Sequence, residues 1–469
     1  MSEEKKKRFK MPSALVILFF LMLFVTILTY FVPAGEFGTL TLETGQEVAD
    51  PNQFQFVDAN PVGFIGFWAA FPKGMVEAAT VIAFTLIISG ALEVIKQTGV
   101  IDIAIYRLSQ RFADNGIWVI PILMFVLGTI ATFIGTEELS MVYIPIILPL
   151  MISLGFDNLT ATAVVILSTH IVGVMSSMTN PFNVGVSHEI AGLPMFSGLW
   201  LRGVLFIVLF FICVIYTMRY ARSIHTDVEK ATQEAIRIGA IKEDEGKQEV
   251  NDKMTSKQIG VGLVSIALFA VILALVIIQG WGMIEMAGAF VLLGVVAGLI
   301  GGMGGDRIVD GFVNGAIGVM SGSILIGVAT GISVIMQEAK ILDTIVYYFG
   351  NFLQSLPLLL SALAIFIFIA LFAFFVPSGS GKAVVTMPII SPLARMVGLN
   401  QQVSVLAYVL GDGVAKPFYP TSGTFMATLD VSKVKWQDWA KFYLPLMAIL
   451  AIVSIIFIIF AQFINYGPF

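Results

Sequence analysis

Residues 128–186 read GTIATFIGTEELSMVYIPIILPLMISLGFDNLTATAVVILSTHIVGVMSSMTNPFNVGV. The stretch is apolar and long enough for more than one membrane span at ~20 residues each. Two polar breaks interrupt it where a span should be most apolar: Gly135-Thr136-Glu137-Glu138 and Ser176-Ser177-Met178-Thr179-Asn180-Pro181. Hydrocarbon offers no hydrogen-bond partners, so broken backbone at membrane depth survives only packed in protein or lining a wet cavity. Two such breaks close in sequence point to a solute site.

The stretch has a counterpart. PIILPL at 145–150 recurs 243 positions later as PIISPL at 388–393. The same offset carries Gly155 onto Gly398 and the first break onto Ser378-Gly379-Ser380-Gly381. The second break falls on Tyr419-Pro420-Thr421-Ser422-Gly423-Thr424. A second set lies at offset 241, where Phe71, Gly74 and Asp102 meet Phe312, Gly315 and Asp343.

Of the 469 residues 58% are hydrophobic and only 12% charged, with a mean hydropathy of +0.93. Soluble domains carry about 25% charged residues, so the chain reads as a polytopic helical membrane protein. The net charge of −5 matters less than where the charges sit. The single cysteine, Cys213, excludes an intrachain disulfide. SEEKKKRFK precedes a long apolar run without a cleavage site, and acids (Glu36, Glu43, Glu47, Asp50, Asp58) follow it. Residues 1–32 therefore hold a first span entered from a cytoplasmic N-terminus, not a signal peptide, which suits the cytoplasmic (inner) membrane.

The first half, 33–218, opens with an external loop over 33–72 that includes an interfacial helix near 64–71. A span over 74–96 and an amphipathic surface segment over 99–115 follow. Residues 116–155 form a hairpin whose arms are marginal for full spans. A re-entrant hairpin and two short spans joined by a polar turn give the same topology. A broken helix over 159–189 and a return over 199–218 complete the half. Residues 219–257, rich in Lys, Arg, Glu and Asp, are a cytoplasmic linker. The second half, 258–469, has spans at 259–278, 281–299 and 311–339, a hairpin at 356–397 entering from outside, a broken helix at 403–429 and a last span at 438–464. The fold class is thus all-α, two inverted repeats with two re-entrant hairpins and two broken helices. Inverted repeats with broken helices mark secondary transporters with a midplane site. No nucleotide-binding loop is present to power a pump.

Four loops would converge about a pseudo-two-fold axis, all rich in Gly, Ser, Thr and Asn. Their residues Thr136, Glu137, Glu138, Thr179, Asn180, Ser378, Gly379, Ser380, Thr421, Ser422 and Thr424, with Lys382, are the substrate-binding candidates. Half-helix N-termini suit a carboxylate, and half-helix C-termini suit Na⁺ or an ammonium. Glu137, Glu138, Asp412 and His170 are the coupling-ion candidates, since an ionisable group at membrane depth is by default functional. Lys382 and Lys416 could meet a substrate carboxylate or pair with Asp412, as intramembrane charges usually pair. His170 could relay a proton or be a packed, hydrogen-bonded core histidine. The acids have no His or Cys at ligand spacing, so neither a transition metal nor another cofactor is expected; Na⁺ or H⁺ coupling is. Nothing suggests nucleic acid, and no nucleophile–base set suggests an enzyme.

Gly-Thr-Glu-Glu, PIILPL, Gly155-Phe156-Asp157, Thr179-Asn180-Pro181-Phe182, Ala191-Gly192-Leu193-Pro194 and Ser197-Gly198 resemble the YfcC/DcuC-type carrier family of the ion-transporter superfamily. That family includes C4-dicarboxylate carriers and arginine/ornithine exchangers. The resemblance implies a homodimer in the bilayer, with a scaffold domain and a moving transport domain working as an elevator. Related dicarboxylate carriers bear a Ser-Asn-Thr-like motif at hairpin tips and breaks; Thr136-Glu137-Glu138 departs from it. Residues and resemblance together predict a secondary transporter of a small carboxylate-bearing metabolite, most consistent with an amino acid, by basic amino acid/ornithine exchange or cation-coupled uptake. A C4-dicarboxylate carrier coupled to Na⁺ or H⁺ is the alternative.

Overall fold

The computed structural model describes residues 14–41, 47–112, 115–135, 137–241, 254–279 and 281–467. Seven helices among them are long and apolar enough to cross a membrane, and four shorter apolar helices accompany them. The protein is a multi-pass membrane protein.

Helix α1 (Ala14–Leu28) leads to strands β1 (Gly35–Thr41) and β2 (Glu47–Phe56), then α2 (Phe64–Glu77), α3 (Ala79–Gln97) and α4 (Val100–Arg111). The strands correct the all-α expectation. They pair antiparallel with a bulge between Phe37 and Gly38. Apolar-polar alternation in Gln53-Phe54-Gln55-Phe56 suits a pleated ribbon with one covered face. The cover comes from the other half of the chain: the Phe54 and Tyr347 rings stack with centroids 3.9 Å apart. The Asp343 carboxylate accepts from Phe37 N at 3.1 Å.

The first hairpin is α5 (Val119–Ile134) and α6 (Leu139–Ser153). The first broken helix begins as α7 (Asn158–Ile166), continues as a wide-turn π segment (Leu167–Met175), and resumes after the break as α8 (Val186–Ala191). Helix α9 (Leu199–Ile224) returns, and α10 (Val228–Arg237) opens the linker. Then come α11 (Ser256–Gln279), α12 (Met283–Gly301), α13 (Gly305–Gly318), α14 (Met320–Glu338), α15 (Leu342–Gln354), the second hairpin α16 (Leu358–Phe372) and α17 (Gly379–Met396), the second broken helix α18 (Gln401–Ala415) and α19 (Gly423–Val431), and α20 (Trp436–Phe463).

From α2 to α9 and from α13 to α20 the elements follow one another in the same order. Two expected spans move. Neither begins where the apolar run does: each is a helix pair jointed at Ala78 and at Val319, 241 positions apart. Partners are exchanged reciprocally, α2 on α14 and α13 on α3. Glycines set the closeness of both contacts. A Cβ on Gly74 would lie 2.8 Å from the Gly331 Cα, and one on Gly315 would lie 2.6 Å from the Gly90 Cα. These four glycines share the sequence offset of 241, Gly74 with Gly315 and Gly90 with Gly331.

Two groups of helices pack among themselves, α1–α3 with α11–α14, and the hairpins and broken helices with α9 and α20. They are joined by α14 on α19 and by α3 on α6. Burial differs sharply inside the second group. Asn158–Met175 is 94% buried and α18 is buried along its whole length, whereas Trp436–Phe463 is 28% buried. A helix apolar all round and buried belongs to a core; one left open in a membrane protein faces lipid.

Candidate substrate site

The two breaks are held open by side chains that take over the freed carbonyls. At the first, Ser176 Oγ donates to Val172 O at 2.6 Å, Ser177 Oγ to Val174 O, and Arg202 Nη2 to Met178 O at 3.2 Å. At the second, Trp439 Nε1 donates to Pro417 O at 2.6 Å, Trp436 Nε1 to Phe418 O at 3.0 Å and Tyr443 OH to Val414 O at 2.9 Å. A buried unpaired carbonyl is costly; the first break draws its donors from its own serines and from Arg202 of α9, the second from α20.

The hairpin tips lie against these breaks. Helix α5 stops at Gly135, whose φ of +79° is a left-handed conformation that favours glycine. A Cβ there would sit 2.4 Å from Asn180 Oδ1 of the first break. At the other tip Ser378 Oγ accepts from Gly381 N at 3.2 Å and caps α17. Tyr408 OH donates to Gly379 O at 2.7 Å. A Cβ on Gly379 would fall 1.9 Å from Asn183 Oδ1, so Asn183 lies directly on the tip backbone.

Between them runs a chain of buried charges. Lys382 Nζ is 2.5 Å from Asp412 Oδ1, and both side chains are wholly buried. Asn183 Nδ2 donates to Asp412 Oδ2 at 3.0 Å. Lys416 Nζ lies 3.8 Å from Asp412 Oδ2 and 2.8 Å from Glu137 Oε1. His170 Nε2 stands 3.8 Å from Glu137 Oε2. Each cation meets a carboxylate, which is how charge is tolerated at this depth. The Glu137–Lys416 pair joins the first tip to the second break.

These elements wall a cavity of about 490 Å³, within the usual range for small-molecule sites. Gly135, Glu137 and Glu138 line it from the first tip, Asn183 from beyond the first break, Ser378, Gly379 and Gly381 from the second tip, and Lys416, Ser422, Gly423 and Thr424 from the second break. Glu77, Thr330, Ser333 and Glu285 close it from α2, α14 and α12. Among the described residues Glu138 enters no ion pair, and its side chain makes no cap for α6.

The whole length of the chain fits one carrier family. The model of DcuC, the C4-dicarboxylate anaerobic carrier, matches residues 11–463. The chain belongs to the DcuC family. It is also 33% identical, over 98% of both chains, to YfcC of Escherichia coli (strain K12), provisionally described as a basic amino acid antiporter. An uncharacterised protein of Haemophilus influenzae is 26% identical over 95% of this chain and 96% of its own. Two solved transporters are more distant. YdaH of Alcanivorax borkumensis has 14% identity and a TM-score of 0.44, over 97% of this chain and 100% of its own. MtrF of Neisseria gonorrhoeae, an antimetabolite efflux pump, has 15% identity and a TM-score of 0.46, over 98% of each chain. Family and named relatives are carriers and efflux pumps, not enzymes.

In this DcuC-family chain the cavity gathers Glu137, Glu138, Ser378, Gly379, Ser422 and Thr424 of the sequence candidates, with Lys416. Lys382, Asp412 and His170 stand behind the wall, buried, and are linked to it through Lys416 and Glu137. Asn180 and Thr421 are buried outside the lining, and Asn180 Oδ1 accepts from Asn183 N at 3.1 Å. Thr179 is part-buried, also outside the lining. Ser380 lies on α17, and Thr136 falls outside the described residues. The sequence reading placed Asn183 in the converging loop 176–183 without naming it a binding candidate, and it missed Glu77 and Glu285. A span counted from Gly74 puts Glu77 in its first turn, where an acid is ordinary. A helix counted from Phe64 places it at an internal joint, where an acid draws attention. Glu285 reads as an ordinary cap, and it does cap α12, accepting from Gly282 N at 3.0 Å.

Proposed function

We propose that this carrier is a secondary active transporter of a small amino acid with a cationic side chain, working by exchange or cation-coupled uptake. One observation carries the reading: among the described residues the cavity wall holds Glu77, Glu137, Glu138 and Glu285 against Lys416 alone, and that lysine is already shared between Glu137 and Asp412. A dianion would meet a surplus of like charge there. A basic amino acid brings an ammonium or guanidinium for Glu138 and one carboxylate for Lys416 and the backbone N–H groups at the start of α19. The name given to the Escherichia coli relative agrees. Thr424 and Ser422 serve the same carboxylate, and Ser378 and Gly379 close over it.

The same proposal takes the two halves as inverted repeats, the N-terminus as cytoplasmic and the membrane as the inner one. The cavity lies between two packed groups of helices, the arrangement needed if one group carries the site past the other as an elevator within a homodimer. Uptake of labelled arginine into proteoliposomes, with ornithine, lysine and succinate as competitors, tests the substrate. Competition by ornithine and lysine supports the proposal; transport of succinate without competition by any amino acid ends it.

A further inference from the structure

The hydrogen-bond pattern around His170 is short of one proton. Thr169 Oγ1 lies 2.8 Å from Val165 O and 3.0 Å from His170 Nδ1. A hydroxyl has one proton to give, and a carbonyl can only accept. The Thr169 proton therefore goes to Val165 O, and Thr169 receives the Nδ1–H of His170. This fixes the neutral tautomer and leaves Nε2 as a bare acceptor. Nε2 faces Glu137 Oε2, another acceptor, across 3.8 Å, and among the described residues both atoms are buried without a hydrogen-bond partner. Two facing acceptors that nothing bridges are costly, and one proton turns them into a charge-assisted hydrogen bond of ~2.7–2.9 Å.

We propose that His170 Nε2 and Glu137 Oε2 form the binding site for a coupling proton, and that its arrival frees Lys416 for the substrate carboxylate. The proton comes from water on the side to which the cavity is open; an Nε2–H bond forms, hydrogen-bonded to Oε2, and nothing is oxidised or reduced. The gap is not a sodium site, because hard cations take oxygen ligands and imidazole does not suit them. The charged groups around it are Glu137 and Glu138 on the first tip, Lys416 and Asp412 along the second broken helix, and Lys382 on α17. Of these Lys416 alone touches both Glu137 and the cavity. Once Glu137 shares a proton with His170, its hold on Lys416 at 2.8 Å weakens. Asp412 keeps Lys382 at 2.5 Å and cannot replace what Lys416 loses. The lysine then favours an incoming carboxylate, so proton and substrate bind cooperatively.

The inference takes from the preceding reading only that the site receives a carboxylate. The chain has three histidines, so ¹⁵N-histidine NMR of the full-length protein in nanodiscs, assigned with His188 and His225 replaced, reads His170 without any substrate. The Nδ1–H tautomer at high pH is expected, with protonation at Nε2 on acidification and no response to Na⁺ at constant pH. In Glu137→Gln the amide donates to Nε2 and the His170 signal stops responding to pH. Arginine affinity should change about tenfold per pH unit in the wild type over the range where the signal titrates, as one linked proton requires, and about twofold or less in Glu137→Gln and His170→Gln. An Nε2–H tautomer at high pH, a Na⁺-dependent shift, or a wild-type slope in both variants overturns the proposal. If arginine does not bind, the substrate reading fails while the NMR still decides the proton site.

Discussion

The two cradles that meet at the cavity share a backbone plan and differ in charge. Each has a hairpin tip, a helix with Pro-Ile-Ile-x-Pro-Leu, a glycine of positive φ (Gly155 at 81°, Gly398 at 79°) and a broken helix. The first contributes Glu137, Glu138 and His170. The second contributes Lys382, Asp412 and Lys416. Equivalent positions hold unlike residues: Glu138 maps onto Gly381 and Thr169 onto Asp412. Steric demands keep the two cradles alike in backbone, while the charges they bring to the cavity differ. Glu137–Lys416 is a bond between the halves, so neither cradle is electrically complete alone.

The largest expected effect separates the mates Thr169 and Asp412. Asp412→Ala strands a wholly buried Lys382, at a cost of ~3–5 kcal/mol. Thr169→Val removes two neutral hydrogen bonds, to Val165 O and from His170 Nδ1, and should cost only about 1–2 kcal/mol. Thermal unfolding in detergent measures both, and equal losses would break the comparison. Next come the tips. Glu138→Gln should weaken binding of a basic amino acid roughly 100-fold, the scale of losing a charged hydrogen bond in a buried site, with unfolding temperature unchanged. Gly381→Ala, whose Cβ meets only Ser378 at 3.2 Å, should keep affinity within a few-fold; isothermal titration reads both.

Gly74→Ala and Gly315→Ala sharpen the likeness instead. Each pushes a methyl into a facing backbone, an overpacking cost of ~1–3 kcal/mol, and the two losses should agree. A variant pair that differs by several-fold would mean that the halves are not equivalent there. The smallest effect belongs to the β-hairpin. Tyr347→Ala removes the ring stacked on Phe54 and should cost ~0.5–1.5 kcal/mol, seen as faster proteolysis of the 33–60 loop with substrate affinity unaffected.

Much of the frame could be read from the chain. Gly135 and Ser378 announce the tips because polar residues inside apolar runs cannot face lipid, and Trp436 begins α20 close to the expected 438. What misled was local context. The joints at Ala78 and Val319 carry no proline, so the pairs α2–α3 and α13–α14 looked like a surface helix with a span, and a single span. The strands β1 and β2 lie in a polar loop whose ribbon is held by Tyr347 and Asp343, about three hundred positions away in sequence. The pairing of Lys382 with Asp412 was readable as an alternative; that Lys416 takes Glu137 more closely than Asp412 was not.

Composition and the spacing of polar breaks decided by themselves that this chain crosses a membrane and interrupts two helices inside it, because a bilayer punishes every unpaired backbone group and leaves few ways to place one. Tertiary structure alone decided that Lys416 reaches Glu137, that His170 Nε2 faces the same carboxylate at 3.8 Å, and that Glu77 and Glu285 close the far wall. Those contacts join residues brought together by helix packing, and packing depends on shape fitting across the whole chain, which no local run of residues records.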